Sequence, residues 1–223
     1  MSLNNHLNLG PIVGRLAGTD VYANQLQRKN ASWGGGKYTP SDGQDTNLDH
    51  APIRKLTATA KSLVIYWSRS GSTELLASKI VAATTSDVLE VTVAQPYPAD
   101  YLQTLDRANE ERERQTPPQL NLSLPDLSQY ETIFLGFQTW AMTLSQPMKA
   151  FLLDFGGALS GKRIAPFETE GGYGSGESIQ VIHNILKEIS GDQVSLTEPL
   201  VIDGNRVDEA DARVTQWLAR IGA

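Results

Sequence analysis

From Leu63 onward the chain alternates unbroken apolar runs with stretches in which apolar residues recur every three or four positions. Leu63-Val64-Ile65-Tyr66-Trp67 is the first run, of the kind expected for a strand covered on both faces. Leu75, Leu76, Lys79, Ile80 and Ala83 then fall at helical spacing. Residues 88–93 read as a second strand, stopped by Pro96-Tyr97-Pro98 because proline lacks the ladder donor. Residues 101–114 predict an exposed helix with few apolar anchors (Tyr101, Leu102, Leu105) and with Glu110 and Arg114 spaced to pair. Thr132-Ile133-Phe134-Leu135-Gly136-Phe137 is the third strand. A helix from about Pro147 turns Met148, Phe151, Leu152 and Phe155 inward, with proline at its start, where a missing N–H costs nothing.

Residues 163–167 are the fourth strand. The stripe Ile179, Ile182, Ile185, Leu186 and Ile189 marks the next helix, which Gly191 stops. A short strand near residues 194–196 or 200–202 precedes a last helix carrying Val207, Ala210, Val214, Trp217, Leu218 and Ile221. Five strand–helix units in succession predict an α/β fold with a doubly wound parallel sheet.

The first sixty residues carry no such period. They begin Asn-rich, pass Gly10-Pro11 and reach Trp33-Gly34-Gly35-Gly36, then Thr39-Pro40-Ser41-Asp42-Gly43, a composition that breaks both helix and strand. Residues 1–60 are therefore expected to be a largely irregular arm, mobile or lying on the globular part formed by residues 61–223. The alternative is an arm that covers a cofactor or exchanges with a second copy in a homodimer, since Leu16, Tyr22, Leu26, Trp33 and Tyr38 want a surface to dock on. No basic stretch followed by an apolar one marks a signal peptide.

Composition removes several chemistries. The 223 residues include no cysteine, which leaves no thiolate nucleophile, disulfide scaffold or cysteine-held metal. His6, His50 and His183 show no ligand spacing on one helix, so no metal site is expected. Lys and Arg number 19 against 25 Asp and Glu, a net charge of −6, and the sequence pI is about 5.1. That excludes the basic footprint of a general nucleic-acid binder. No apolar stretch is long enough to span a membrane. A soluble, cytoplasmic protein is the simplest expectation, a trimmed leader peptide being compatible with it. The charge is uneven: the first sixty residues hold six of the basic groups and four of the acidic ones, leaving residues 61–223 at −8.

In doubly wound sheets ligands bind beyond the carboxyl ends of the strands, so the loops after strands one, three and four are where chemistry is sought. The first is Ser68-Arg69-Ser70-Gly71-Ser72-Thr73. A tight glycine turn, four hydroxyls and the unpaired N–H groups of a following helix suit a phosphate; a turn with an ordinary N-cap is the plainer reading. The second, Gln138-Thr139-Trp140-Ala141, offers a tryptophan to stack on a flat heteroaromatic ring or merely to cover the core. In the third, Glu170-Gly171-Gly172-Tyr173 exposes backbone groups to a ring edge with Tyr173 on the far side, or is a surface loop.

Two nucleotide motifs fail on spacing. Gly156 to Lys162 imitates a phosphate-binding Walker loop, but Arg163 follows where Ser or Thr should, and the run enters a strand instead of leaving one. Gly172, Gly174 and Gly176 are spaced for a dinucleotide loop, but Glu177 takes the place of its last glycine and the first strand lies far away.

Together, the Ser-x-Ser-Gly-Ser-Thr loop, Tyr97-Pro98-Ala99-Asp100-Tyr101, Gly136-Phe137-x-Thr139-Trp140, Gly161-Lys162-x-Ile-Ala-Pro-Phe and Gly171-Gly172 resemble the flavodoxin-like family, in particular its short-chain branch, over about residues 61–222. The resemblance implies a three-layer, flavodoxin-like doubly wound fold with a five-stranded parallel sheet in the order 2-1-3-4-5 and non-covalent FMN. Residues 68–73 would match the phosphate loop, and the Trp140 and Gly171-Gly172 loops the two walls around the flavin ring. Gln138 stands where such proteins often have proline, and Glu168, Glu170 and Tyr173 replace smaller or neutral residues.

The function implied is electron transfer, in which the flavin carries the redox chemistry and no catalytic acid–base pair is required. The partner is then a redox protein with a basic docking face, towards which an acidic domain is steered. An FMN-dependent NAD(P)H oxidoreductase acting on a small quinone is the alternative, and a flavin-free interaction module of the same fold a third.

Overall fold

A computed structural model describes residues 9–25, 41 and 43–223. Its elements in order are β1 (Leu9–Leu16), β2 (Thr19–Gln25), α1 (Thr46–Asp49), β3 (Arg54–Lys55), β4 (Ser62–Tyr66), α2 (Ser72–Thr84), β5 (Asp87–Glu90) and α3 (Tyr101–Glu113). After these come β6 (Thr132–Trp140), β7 (Thr143–Leu144), α4 (Gln146–Phe155), β8 (Arg163–Glu170), α5 (Ser178–Ser190), β9 (Ser195–Leu196), β10 (Leu200–Asp203) and α6 (Asp211–Ile221).

The five principal strands run parallel in the order β5-β4-β6-β8-β10, and β3 adds an antiparallel edge beside β5. Both stretches proposed for the last strand are used: β9 pairs with the beginning of β8 and β10 with its end. Pro199 stands between them, and proline's missing N–H suits such a break in an edge strand.

Successive side chains on a strand face opposite ways, so one apolar run feeds two cores. Val64 and Tyr66 join Phe134, Ala165 and Phe167 under α2 and α6, while Leu63, Ile65 and Trp67 join Ile133, Leu135 and Phe137 under α4 and α5. The three layers follow from that division. Among the described residues, no helix is long and apolar enough to cross a membrane.

The N-terminal segment, expected as a largely irregular arm that is mobile or lies on the globular part, is regular over one stretch that packs on that part. Residues 9–25 form an antiparallel hairpin whose turn, Ala17-Gly18, has both φ angles positive (49° and 93°), as a two-residue connection matched to strand twist requires. Leu16, Val21 and Ala23 are fully buried and belong to the core under α2, whereas Tyr22 and Asn24 face outward. At Gly14 a Cβ would come within 2.7 Å of Leu75 Cδ2 and 3.0 Å of Ser78 Oγ, so the hairpin packs its backbone directly on α2. That helix is thus covered by the sheet on one side and the hairpin on the other. Leu26, Trp33 and Tyr38 lie outside the described residues.

Candidate functional site

The carboxyl ends of β4, β6 and β8 open into a cavity of about 470 Å³. The phosphate-type loop forms one end of it. Ser68, Arg69, Ser70, Ser72 and Thr73 line the cavity, and Gly71 does not. Gly71 is the N-cap of α2, at φ 97°, and no side chain caps the helix, so the first-turn N–H groups and the positive end of the helix dipole stay available to an anion.

The hydroxyls are not equivalent. Ser68 Oγ accepts the Gly71 N–H at 3.1 Å. Thr73 Oγ1 is held between Thr169 Oγ1 at 2.7 Å and Gln138 Nε2 at 2.6 Å. Of the four hydroxyls expected to donate to phosphate, Ser68 and Thr73 therefore help to build the loop, while Ser70 and Ser72 line the cavity beside the helix N-terminus. Arg69 also departs from a simple anion-binding role: its Nη1 donates to the Gly43 and Pro98 carbonyls, at 3.0 and 3.3 Å. It fastens the loop to two neighbouring segments.

Gln138, Thr139, Trp140 and Ala141 line the middle of the cavity. The Gln138 amide ties strand to loop by donating to the Trp67 carbonyl at 2.5 Å as well as to Thr73. Its buried Oε1 has no hydrogen-bond partner. A buried acceptor left unpaired costs about 1–3 kcal/mol, and a ligand N–H or O–H would satisfy it. Trp140 sits edge-on to Trp67 and to Tyr97, with centroids 5.2 Å apart in both pairs and interplanar angles of 79° and 83°. The third loop brings Glu170, Gly171 and Tyr173 to the cavity but not Gly172, which turns the backbone at φ 92°. Glu170 Oε2 accepts the Gly174 N–H at 2.7 Å. Tyr173 is 60% exposed.

One wall was missed. Tyr101, Thr104, Leu105, Ala108, Asn109 and Arg112 of α3 also line the cavity. Their spacing is that of a single helix face, yet the stripe is mixed in polarity, so a search for apolar residues reads the helix as merely exposed. The expected Glu110–Arg114 pair does form, at 2.8 Å.

The flavodoxin family model matches residues 61–220. The chain belongs to the flavodoxin family. A solved structure described as a flavoprotein from Bacteroides eggerthii is 25% identical, with a TM-score of 0.59 over 74% of this chain and 99% of the other. A flavoprotein from Lactobacillus acidophilus in complex with FMN is also 25% identical, with a TM-score of 0.55 over 67% of this chain and 97% of the other. A third protein, from Bacteroides uniformis, is 22% identical with a TM-score of 0.60 over 72% and 98%, and bears on the fold alone. No curated protein matches the chain.

Behind the loop of residues 68–73 lies a polar cluster that residue spacing concealed. His50 Nε2 is 3.2 Å from Glu74 Oε1, which also accepts the Tyr66 hydroxyl at 2.8 Å. Glu90 accepts from Asn47 Nδ2 and from the Ile53 N–H, both at 2.8 Å. The ligand-type atoms of His50, Glu74 and Glu90 fall within 4.8 Å of one another, although the residues come from three distant stretches of chain. The hydrogen bonds close the network and fasten residues 47–53 to β5 and α2. The same segment holds the loop from behind, because Thr46 donates its N–H to the Arg69 carbonyl at 2.7 Å and its hydroxyl to the Ser68 carbonyl at 2.8 Å.

Hydrogen bonding to Glu74 raises His50 from 6.5 to about 9, against a smaller opposing effect of burial. Burial and the Glu74 charge raise Glu90 to about 7. Both shifts favour the protonated form in the folded state. The stability from Glu90 is full below its unfolded value and is lost as pH rises through about 7. The stability from His50 is full below 6.5 and is lost as pH rises through about 9. The melting temperature is therefore expected to fall continuously from mildly acidic to mildly alkaline pH. His50→Gln should lower it at neutral pH and flatten the alkaline part of the profile. An unaltered alkaline slope in thermal melts of His50→Gln would remove His50 from the account.

Proposed function

We propose that the chain is an FMN-binding electron carrier. The observation that carries the reading is one cavity with two unlike ends: an uncapped helix N-terminus with Ser70 and Ser72 at one, Trp140 and Tyr173 at the other, and the unpaired Gln138 Oε1 between them. An anion and a flat heteroaromatic ring with polar edges, joined in one ligand, match those ends. The FMN carried by the L. acidophilus flavoprotein is such a ligand. Ser70, Ser72 and the first-turn N–H groups of α2 would hold the phosphate, Trp140 and Tyr173 would flank the ring, and Gln138 Oε1 with the Glu170–Gly174 backbone would meet its polar edge. When bound, the flavin supplies the redox chemistry; the protein's share is position, electrostatics and exclusion of water. The domain's net acidity favours a basic partner protein.

A second reading has its own support. With α3 walling the cavity, a small acceptor such as a quinone could share the space beside the ring, and the protein would then be an NAD(P)H-dependent oxidoreductase. Purified protein should be yellow and release FMN on denaturation. Colourless protein that takes up no added FMN would defeat both readings and favour an interaction module. Reduction only through a partner reductase supports the carrier, and steady NAD(P)H turnover with a quinone supports the enzyme.

Glu170 tests the electrostatics. A carboxylate at the cavity wall disfavours a negatively charged reduced flavin, so Glu170→Gln should raise the reduction potential. The rise should be on the order of tens of millivolts, a fraction of the few kcal/mol that a contact pair carries near a protein surface. Glutamine keeps an acceptor for the Gly174 N–H, which separates charge from loop geometry. Spectroelectrochemical titration giving the wild-type potential would place the Glu170 charge outside the reach of the ring.

A further inference from the structure

We propose that the hairpin preceding the family-matched span is part of the cofactor site, and that Asn24 supplies it with a phosphate-end donor. The proposal rests on the FMN reading and adds to it a segment that the family match, beginning at residue 61, does not include.

The hairpin's position is fixed by packing. Leu16, Val21 and Ala23 are buried in the core beneath it, and Gly14 lies against Leu75 and Ser78 of α2. Because α2 begins at the phosphate-type loop, a hairpin seated on α2 reaches that loop. The approach is close: a Cβ built on Gly71 would lie 1.8 Å from the Tyr22 carbonyl oxygen. The glycine of the loop thus serves two surfaces, permitting the left-handed turn and admitting the hairpin backbone.

The alternation of β2 then decides which side chain meets the cavity. With Val21 and Ala23 inward, Tyr22 and Asn24 point out. Asn24 stands near the end of the strand and lines the cavity with Ser68, Ser70 and Ser72.

Chemistry makes the placement meaningful. Arg69, the cation of the loop, directs Nη1 at the Gly43 and Pro98 carbonyls. The other donors around a phosphate placed there are neutral, namely helix N–H groups and hydroxyls, and the carboxamide N–H of asparagine belongs to that set. The hairpin would also shield this end from water, which strengthens each of those hydrogen bonds.

The test compares two ligands that differ only at the phosphate. FMN and riboflavin are titrated by fluorescence into wild-type protein, Asn24→Ala and Asn24→Asp, with thermal melts as a check on folding; Asn24 is exposed, so both variants keep the buried face of the hairpin. Asn24→Ala should lose FMN affinity by about tenfold, the scale of one hydrogen bond to a charged group, and Asn24→Asp by more, because a carboxylate repels the phosphate. Riboflavin affinity should stay within about twofold, since no phosphate contact is involved. FMN binding at wild-type strength by Asn24→Asp, or equal losses for the two flavins, would overturn the proposal and leave the FMN reading standing. Wild-type protein that takes up neither flavin would overturn both.

Discussion

Gly71→Ala is expected to destabilise the apo-protein by about 3 kcal/mol, combining left-handed strain with forced repacking, and to weaken FMN binding at least tenfold. The glycine stands at φ 97°, and a Cβ there would lie 1.8 Å from the Tyr22 carbonyl oxygen. A backbone oxygen cannot swing aside as a side-chain tip can. Either the loop abandons its turn or the hairpin lifts from α2, and both outcomes disturb the phosphate end. Gly18→Ala provides the contrast. It shares the sign of φ, at 93°, but nothing lies within 4 Å of its Cβ, so it should cost only the strain, about 1–2 kcal/mol, and leave FMN affinity unchanged. Urea unfolding and flavin titration of both variants separate the two effects. Equal losses in the two would show that the contact with Tyr22 carries no weight.

The parts of the fold that could be read from sequence are those whose burial is two-sided. Residues 63–67 and 132–137 are continuous apolar runs because both faces are covered, and such runs stand out at any register. The hairpin hides for the opposite reason. Only one of its faces is buried, and the inward positions of β1 include Gly14, which makes its contact through backbone. At Gly14 no apolar side chain records that packing. The signal that was present is the Ala17-Gly18 turn between short alternating stretches.

The site divides the same way. Residues 68–73 were found because hydroxyls and glycine after a strand have one chemical use in common, while α3 escaped notice because a helix facing a ligand cavity has no apolar stripe to display. The distinct work of Ser68, Thr73 and Arg69, which hold the loop together, depends on Gln138, Thr169, Gly43 and Pro98. The His50–Glu74–Glu90 cluster is likewise created by the crossing of segments 24 and 40 residues from His50. Spacing along the chain carries information only within an element, and those contacts lie between elements.

Trp140→Ala should lower FMN affinity by roughly ten- to a hundredfold, the scale of about 1–3 kcal/mol found when a base loses its aromatic stacking partner. Trp140 is held in place by its aromatic neighbours. Trp67 and Tyr97 each meet it edge-on, at 5.2 Å, a preferred geometry for aromatic pairs. Tyr97 is in turn fixed by the Arg107 guanidinium, 3.9 Å from its ring centroid, and by its hydroxyl hydrogen bond to Glu111. The indole therefore stands as a wall before any ligand arrives, and little ordering cost is left for binding to meet. Tyr173, exposed on the other side, has no comparable support. Tyr173→Ala should consequently cost less than Trp140→Ala, and Trp140→Phe should recover part of the loss, because a smaller ring keeps a face but gives up area. Bound-flavin fluorescence supplies a second readout: stacking on an indole quenches it, so Trp140→Ala should brighten the complex whereas Tyr173→Ala should do so less. If affinity and fluorescence are both unchanged in Trp140→Ala, the indole is a cover for Trp67 and Tyr97, and the ring lies elsewhere along the cavity, against α3.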